Sequence, residues 1–148
     1  MEVKIKYIDC NKLSKSHETI LKFIKLLQNN FPLKNDVTIA FLGERKGPMT
    51  TGSRLDQGIL KILVENRIIR DVLRTLAHEW IHEYQITILG REKGPDIGGK
   101  NEDEANAYSG RLVKKFEKKF PIEKEVVYLP FEWFSNDLLS TQTPLQVF

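Results

Sequence analysis

Apolar and polar positions change period several times along this chain, and each change marks an element. Val3, Ile5 and Tyr7 alternate with Glu2, Lys4 and Lys6, the period of two that predicts a half-buried strand. Ile20, Phe23, Ile24 and Leu27 then recur at helical intervals. They predict a helix capped by Ser14 or Ser16 that runs to about Asn29, before Asn30 and Pro32 end it. His17 falls in its first turn, where a solvated histidine is expected. Val37–Leu42 predicts a strand, and residues 43–52, with Gly47-Pro48, predict a loop. Arg45, Lys46 and Arg54 lack the spacing of a phosphate-binding loop and read as a solvated turn. The apolar, β-branched run over residues 58–65 predicts another strand.

From about Ile69 the period is helical again. Ile69, Leu73, Leu76, Ala77, Trp80 and Tyr84 form one apolar stripe, and the helix runs out at Gly90. Trp80 reads as packing. Residues 90–100 hold four glycines and a proline and predict a loop. Asn101 and Glu104 stand as N-cap and capping-box acid of a further helix. Its apolar face is Ala105, Ser109, Leu112, Phe116 and Phe120, and Pro121 stops it. Residues 125–129 predict a short strand, Phe131, Trp133 and Phe134 core packing, and residues 140–148 a loosely held tail.

A chain of 148 residues suits one domain, here 1–148, and 41% apolar with 29% charged residues is an ordinary globular balance. A formal net charge of +3 gives no reason to expect nucleic acid as a partner, and the lysines of 114–119 read as the wet face of a helix. Cys10 is the sole cysteine, which excludes an intrachain disulfide and a cysteine-rich zinc site. No apolar leader or membrane-length run is present, so a cytoplasmic or otherwise soluble protein, a monomer with no membrane partner, is expected.

The chemistry lies in His78-Glu79-Trp80-Ile81-His82. Residues four apart on a helix share a face, so His78 and His82 can reach one ion, and neutral imidazole is a good ligand for Zn²⁺. Glu79 is then placed to act as general base toward a metal-activated water. The histidines fall on the flank of the apolar stripe, together with Asp71, Thr75 and Gln85, as a helix anchored in a core and lining a cleft requires. A catalytic zinc takes three protein ligands, and only His17 remains among the histidines. The longer pattern with a third histidine fails, because Gln85 and Ile88 stand at its glycine and histidine positions. An acid is therefore needed. Glu102 opens Glu-x-x-Ala-Asn and shares a helical face with Asn106, which can orient a ligand histidine. Glu104 and Asp96 are reserve third ligands.

On these residues the chain resembles the gluzincins, zinc peptidases with two histidines on one helix and a glutamate on the next. Its small size, with His78-Glu-Trp-Ile-His82-Glu-Tyr-Gln, is similar to the compact minigluzincins, and the segment from Asn101 to Tyr108 is similar to that of repressor-cleaving peptidases. The resemblance covers roughly residues 58 to 116. It implies a small α+β, zincin-like domain, with a short mixed or antiparallel sheet packed on the helix of His78 and His82 and on a following glutamate-bearing helix, that binds Zn²⁺ through His78, His82 and Glu102, with Glu79 as base. It also implies a protein or peptide substrate that pairs with a sheet edge, here expected at residues 58–65. Tyr108 is a candidate to stabilise the oxyanion. The function expected is a zinc-dependent endopeptidase. The rival is a catalytically silent protein of the same fold that binds a partner through its edge strand or lysine-rich helix.

Overall fold

A computed structural model of the chain describes residues 1–10, 13, 16–44, 51–94 and 98–122. The strand expected at 125–129, the packing of Phe131, Trp133 and Phe134, the 140–148 tail and Asp96 lie outside the described residues. In chain order the elements are β1 (Val3–Ile8), α1 (His17–Asn30), β2 (Val37–Leu42), β3 (Gly52–Asp56), β4 (Ile59–Leu63), α2 (Ile69–Thr87) and α3 (Lys100–Lys119). The result is a small mixed α+β domain.

The four strands form one sheet in the order β1-β2-β4-β3, parallel except where β3 meets β4. Its register assigns the two faces. Ile5, Ile39, Leu60 and Arg54 stand in one row across the sheet, and Tyr7, Phe41, Ile62 and Gly52 in another. Both rows face the helices: Ile39, Phe41, Leu60 and Ile62 are fully buried. Lys6, Ala40, Lys61 and Ser53 make the alternate row, on the opposite face.

The edge beside β4 is thus β3, in a segment whose pattern predicts a loop up to Gly52, and residues 58–65 are interior. Gly52-Ser-Arg-Leu-Asp56 carries no apolar alternation, because two of its helix-facing positions are a glycine and an arginine. Arg54 is admitted there by Glu83 of α2, with Nε donating to Oε1 at 2.6 Å. Glu83 is 2% exposed and also accepts the backbone N–H of Gly58 at 3.1 Å. Gly58 (φ +79°) makes the β3–β4 turn, a backbone state that a side chain disfavours. Glu83 therefore ties both the strand and its turn to α2.

Trp80 is fully buried and its Nε1–H donates to the carbonyl of Phe31 at 2.9 Å, as its place in the apolar stripe predicts. Burying such a side chain contributes on the order of 3 kcal/mol. Helix α3 packs along α2, and its ring of Phe116 meets Phe23 of α1 edge-on at 5.2 Å.

Three local expectations are corrected. Asn101 does not cap α3: Gly99 is the cap residue, and Gly98 and Gly99 enter the helix at φ +76° and +88°. Asn101 instead donates to the Glu92 carbonyl at 3.1 Å, and Glu104 pairs with Arg91 at 2.5 Å. Ser16 does precede α1, but its side chain makes no cap hydrogen bond. His17 is partnered rather than merely solvated, its Nδ1 lying 2.6 Å from the Tyr7 hydroxyl. Among the described residues no helix is long and apolar enough to cross a membrane.

Candidate metal centre

Two polar stripes run along α2, offset by the position of the apolar one. Thr75, Glu79 and Glu83, four residues apart, face β3; His78 and His82, also four apart, face α3. On α3, Glu102 lies opposite the histidines. Its Oε1 is 2.9 Å from His78 Nε2 and its Oε2 is 2.8 Å from His82 Nε2, while the two Nε2 atoms are 3.1 Å apart. One donor atom from each of the three residues lies within 4.8 Å of the others, a group able to hold a metal ion.

The donor set could hold a divalent transition-metal ion, and zinc is among those it is compatible with. Two ligand atoms bound at roughly 2.0–2.1 Å in a tetrahedron stand about 3.3 Å apart, close to the 3.1 Å between the two Nε2 atoms, each of which meets a different oxygen of Glu102. Two imidazoles and a carboxylate form a nitrogen–oxygen set of the kind found in open zinc sites.

The tautomer of His82 also suits a ligand. Gln85 Oε1 lies 2.9 Å from His82 Nδ1, and Gln85 Nε2 donates to the Asn101 carbonyl at 3.0 Å and toward Glu104 at 3.3 Å. Because its amide nitrogen is committed to those oxygens, the Gln85 oxygen must face the ring and accept from Nδ1–H. The Nε2 lone pair is thereby left toward Glu102 and His78. Gln85 is 1% exposed, so this arrangement is not exchanged for water. On the other ring, Asn106 hydrogen-bonds His78. Burial lowers the pKa of His78 most, with Glu102 opposing and His82 adding to the shift, so the neutral form that binds metals is favoured.

Glu79 faces the start of β3 and still lies near enough to Glu102 to feel its charge. Its carboxylate is 7% exposed, and burial first, then the negative field of Glu102, raises its pKa from 4.5 to about 7, with Arg54 opposing. It lies under the start of β3. A Cβ on Gly52 would stand 2.9 Å from Glu79 Oε2 and 2.5 Å from Thr75 Cγ2, so a residue without a side chain is what lets strand and carboxylate approach.

The remaining expected residues are placed as follows. Glu104 is turned to Arg91 and Gln85, where it fixes the amide that fixes His82. The guanidinium of Arg91, directly and through hydrogen bonding, holds its carboxyl below the usual range. Tyr108 is 41% exposed and is not brought to the cluster; its ring packs edge-on against Phe31 at 5.6 Å, with Arg111 over it. Asp96 lies outside the described residues.

The sequence placed Gln85 on the histidine flank and as a departure from a longer motif, without disclosing its hold on His82. The usable signal was its position three residues after His82, within reach on a helix. Gly52 gave none, since its neighbour is set by sheet register. No protein-family model, no curated protein and no solved structure matches this chain.

Proposed function

We propose that this chain is a zinc-dependent endopeptidase with a zincin-like, gluzincin-type site. The observation that carries the reading is a division of labour on one helix. His78 and His82 meet Glu102 on one flank of α2, and the next residue, Glu79, sets a desolvated carboxylate beneath an edge strand on the other. Zinc, when bound, supplies a Lewis acid that polarises a peptide carbonyl and acidifies water.

The chain's own groups do the rest. Burial and Glu102 raise the pKa of Glu79 to about 7 in the metal-free chain, and a carboxylate tuned upward in this way suits a group that accepts a proton from water and returns it to the departing amine. Gln85 and Asn106 orient the two imidazoles. Among the described residues no strand pairs with the outer edge of β3, so its N–H and C=O groups are available to an extended peptide. Gly52 lets β3 lie close to Glu79, so a peptide added to the outer edge of β3 would run alongside the strand that covers this carboxylate.

Zinc content and peptide cleavage near neutral pH, with and without a chelator, test the reading. The parent protein is expected to cleave and the chelator to stop it. Glu79→Gln is expected to keep its zinc and lose about 10²–10⁴-fold in rate, the usual contribution of a positioned general base. Equal cleavage by parent and variant contradicts the role of Glu79. A zinc-bound parent that cleaves nothing favours a binding protein of the same fold.

A further inference from the structure

Arg67, between β4 and α2, reaches back along the helix with its guanidinium part-buried. Nη1 donates to the Leu63 carbonyl at 2.7 Å, and Nη2 to the Asp71 carbonyl at 2.8 Å and the Thr75 hydroxyl at 2.7 Å. All three acceptors are neutral. Asp71 attracts it through space, but among the described residues no carboxylate pairs with it, and desolvation is the largest influence on its pKa, downward. A guanidinium offers five N–H groups; both on Nη2 and one on Nη1 are spent here, which leaves the Nε–H and one Nη1–H as single donors to a carboxylate oxygen. A cation taken partly out of water without a counter-ion is costly, and a ligand carboxylate would offset that.

Its position gives the ligand an address. Thr75 touches Arg67 through its hydroxyl, and its methyl points at the same spot on Gly52 that Glu79 faces. The guanidinium is therefore one side chain away from the groups that flank the reacting bond. Other cations near the cleft are differently placed: Arg54 is paired with Glu83, and Arg70 with Glu117.

We propose that Arg67 is a specificity-determining residue of this cleft and receives a peptide carboxylate, an Asp or Glu side chain or a free C-terminus, next to the bond that Glu79 addresses. The inference rests on the peptidase reading for its consequence in catalysis, though not for the binding itself.

The test uses zinc-loaded full-length protein and peptide pairs that differ only by Glu or Gln at positions flanking the cut. A second series carries free or amidated C-termini. Charge-assisted hydrogen bonds of this kind support a preference of at least about tenfold in kcat/KM for the carboxylate peptide. Dependence on Glu identifies a side chain as the source; dependence on the free terminus identifies the chain end. Arg67→Gln should bring the ratio close to one, and Arg67→Lys should keep part of it. A merely structural Arg67 would lower both rates together and leave the ratio intact, which would overturn the proposal. So would equal rates for both peptides with the parent protein, a result independent of any variant's folding. If no peptide is cleaved, fluorescence anisotropy of the same pairs on Glu79→Gln protein decides separately. Tighter binding of the carboxylate peptide, lost with Arg67→Gln, supports the site while the peptidase reading fails; equal binding overturns it.

Discussion

Along α2 the flank that faces α3 and the flank that faces β3 carry polar side chains at the same four-residue spacing, yet they solve different problems. On the α3 flank, His78, His82 and Glu102 turn their donor atoms toward one another, and their outer atoms are held by Gln85 and Asn106. On the β3 flank each group is aimed at the strand: Thr75 and Glu79 at Gly52, Glu83 at Arg54 and the Gly58 turn. The first flank forms a group that could hold a cation. The second builds a wall, with one carboxylate at its centre whose pKa burial raises to about 7. Because a helix turns about 100° per residue, adjacent positions such as His78 and Glu79 can serve both at once.

The comparison can be broken from the β3 side with the largest expected effect. Glu83→Ala leaves the Arg54 guanidinium and the Gly58 N–H without their acceptor in a buried place, which costs about 3–5 kcal/mol. Denaturant unfolding of the metal-free protein should read this loss, and zinc affinity should fall far less than cleavage does. An unchanged unfolding midpoint would deny Glu83 its role as the tie between strand and helix.

Next in size is the pH dependence of Glu79. Its folded pKa, about 7, lies above the ordinary 4.5, so the folded chain holds this proton more tightly than the unfolded one does. Stability from this group is fully present below about pH 4.5 and is lost as pH rises through 7. In metal-free protein, Glu79→Gln should therefore be more stable than the parent at pH 8 by about 3 kcal/mol relative to the difference at pH 4. Parallel stability curves for the two proteins between those pH values would contradict the burial of the ionised carboxylate.

The α3 flank is sharpened by Gln85→Leu, which keeps the volume and removes the acceptor for His82 Nδ1–H. Loss of such a partner lowers zinc affinity by about 10–100-fold, measurable by competition with a coloured chelator. An unaltered affinity would mean that the amide is packing only. Gly52→Ala completes the series. The new methyl would stand 2.5 Å from Cγ2 of Thr75, a short branched side chain whose hydroxyl is held by Arg67, and 2.9 Å from Glu79 Oε2, so the loss should fall in the overpacking range, about 1–3 kcal/mol. Cleavage should fall while zinc affinity holds; a fall in both would merge the two flanks into one.

These flanks also differ in how far the sequence discloses them. His78, Glu79 and His82 lie within one helical turn, so local spacing is enough to place them. Glu102 becomes visible one element later, through a second helical pattern. The apolar periods likewise locate three helices and the strands β1, β2 and β4, because in each the buried face is made of large apolar residues. Strand β3 breaks that rule. Its helix-facing Gly52 and Arg54 are explained only by Glu79 and Glu83, which are 27 and 29 residues further along, and no local period encodes such a pairing. The start of α3 failed for a related reason: Asn101 has the chemistry of a cap, but two left-handed glycines begin the helix before it.

Zinc stoichiometry decides the central claim most directly, read by elemental analysis on full-length protein and on a His82→Ala, Glu102→Ala double variant. The account predicts one zinc per chain in the first and none in the second, with both still folded by circular dichroism. No zinc in the parent under saturating supply, or an equal zinc content in the variant, would contradict it.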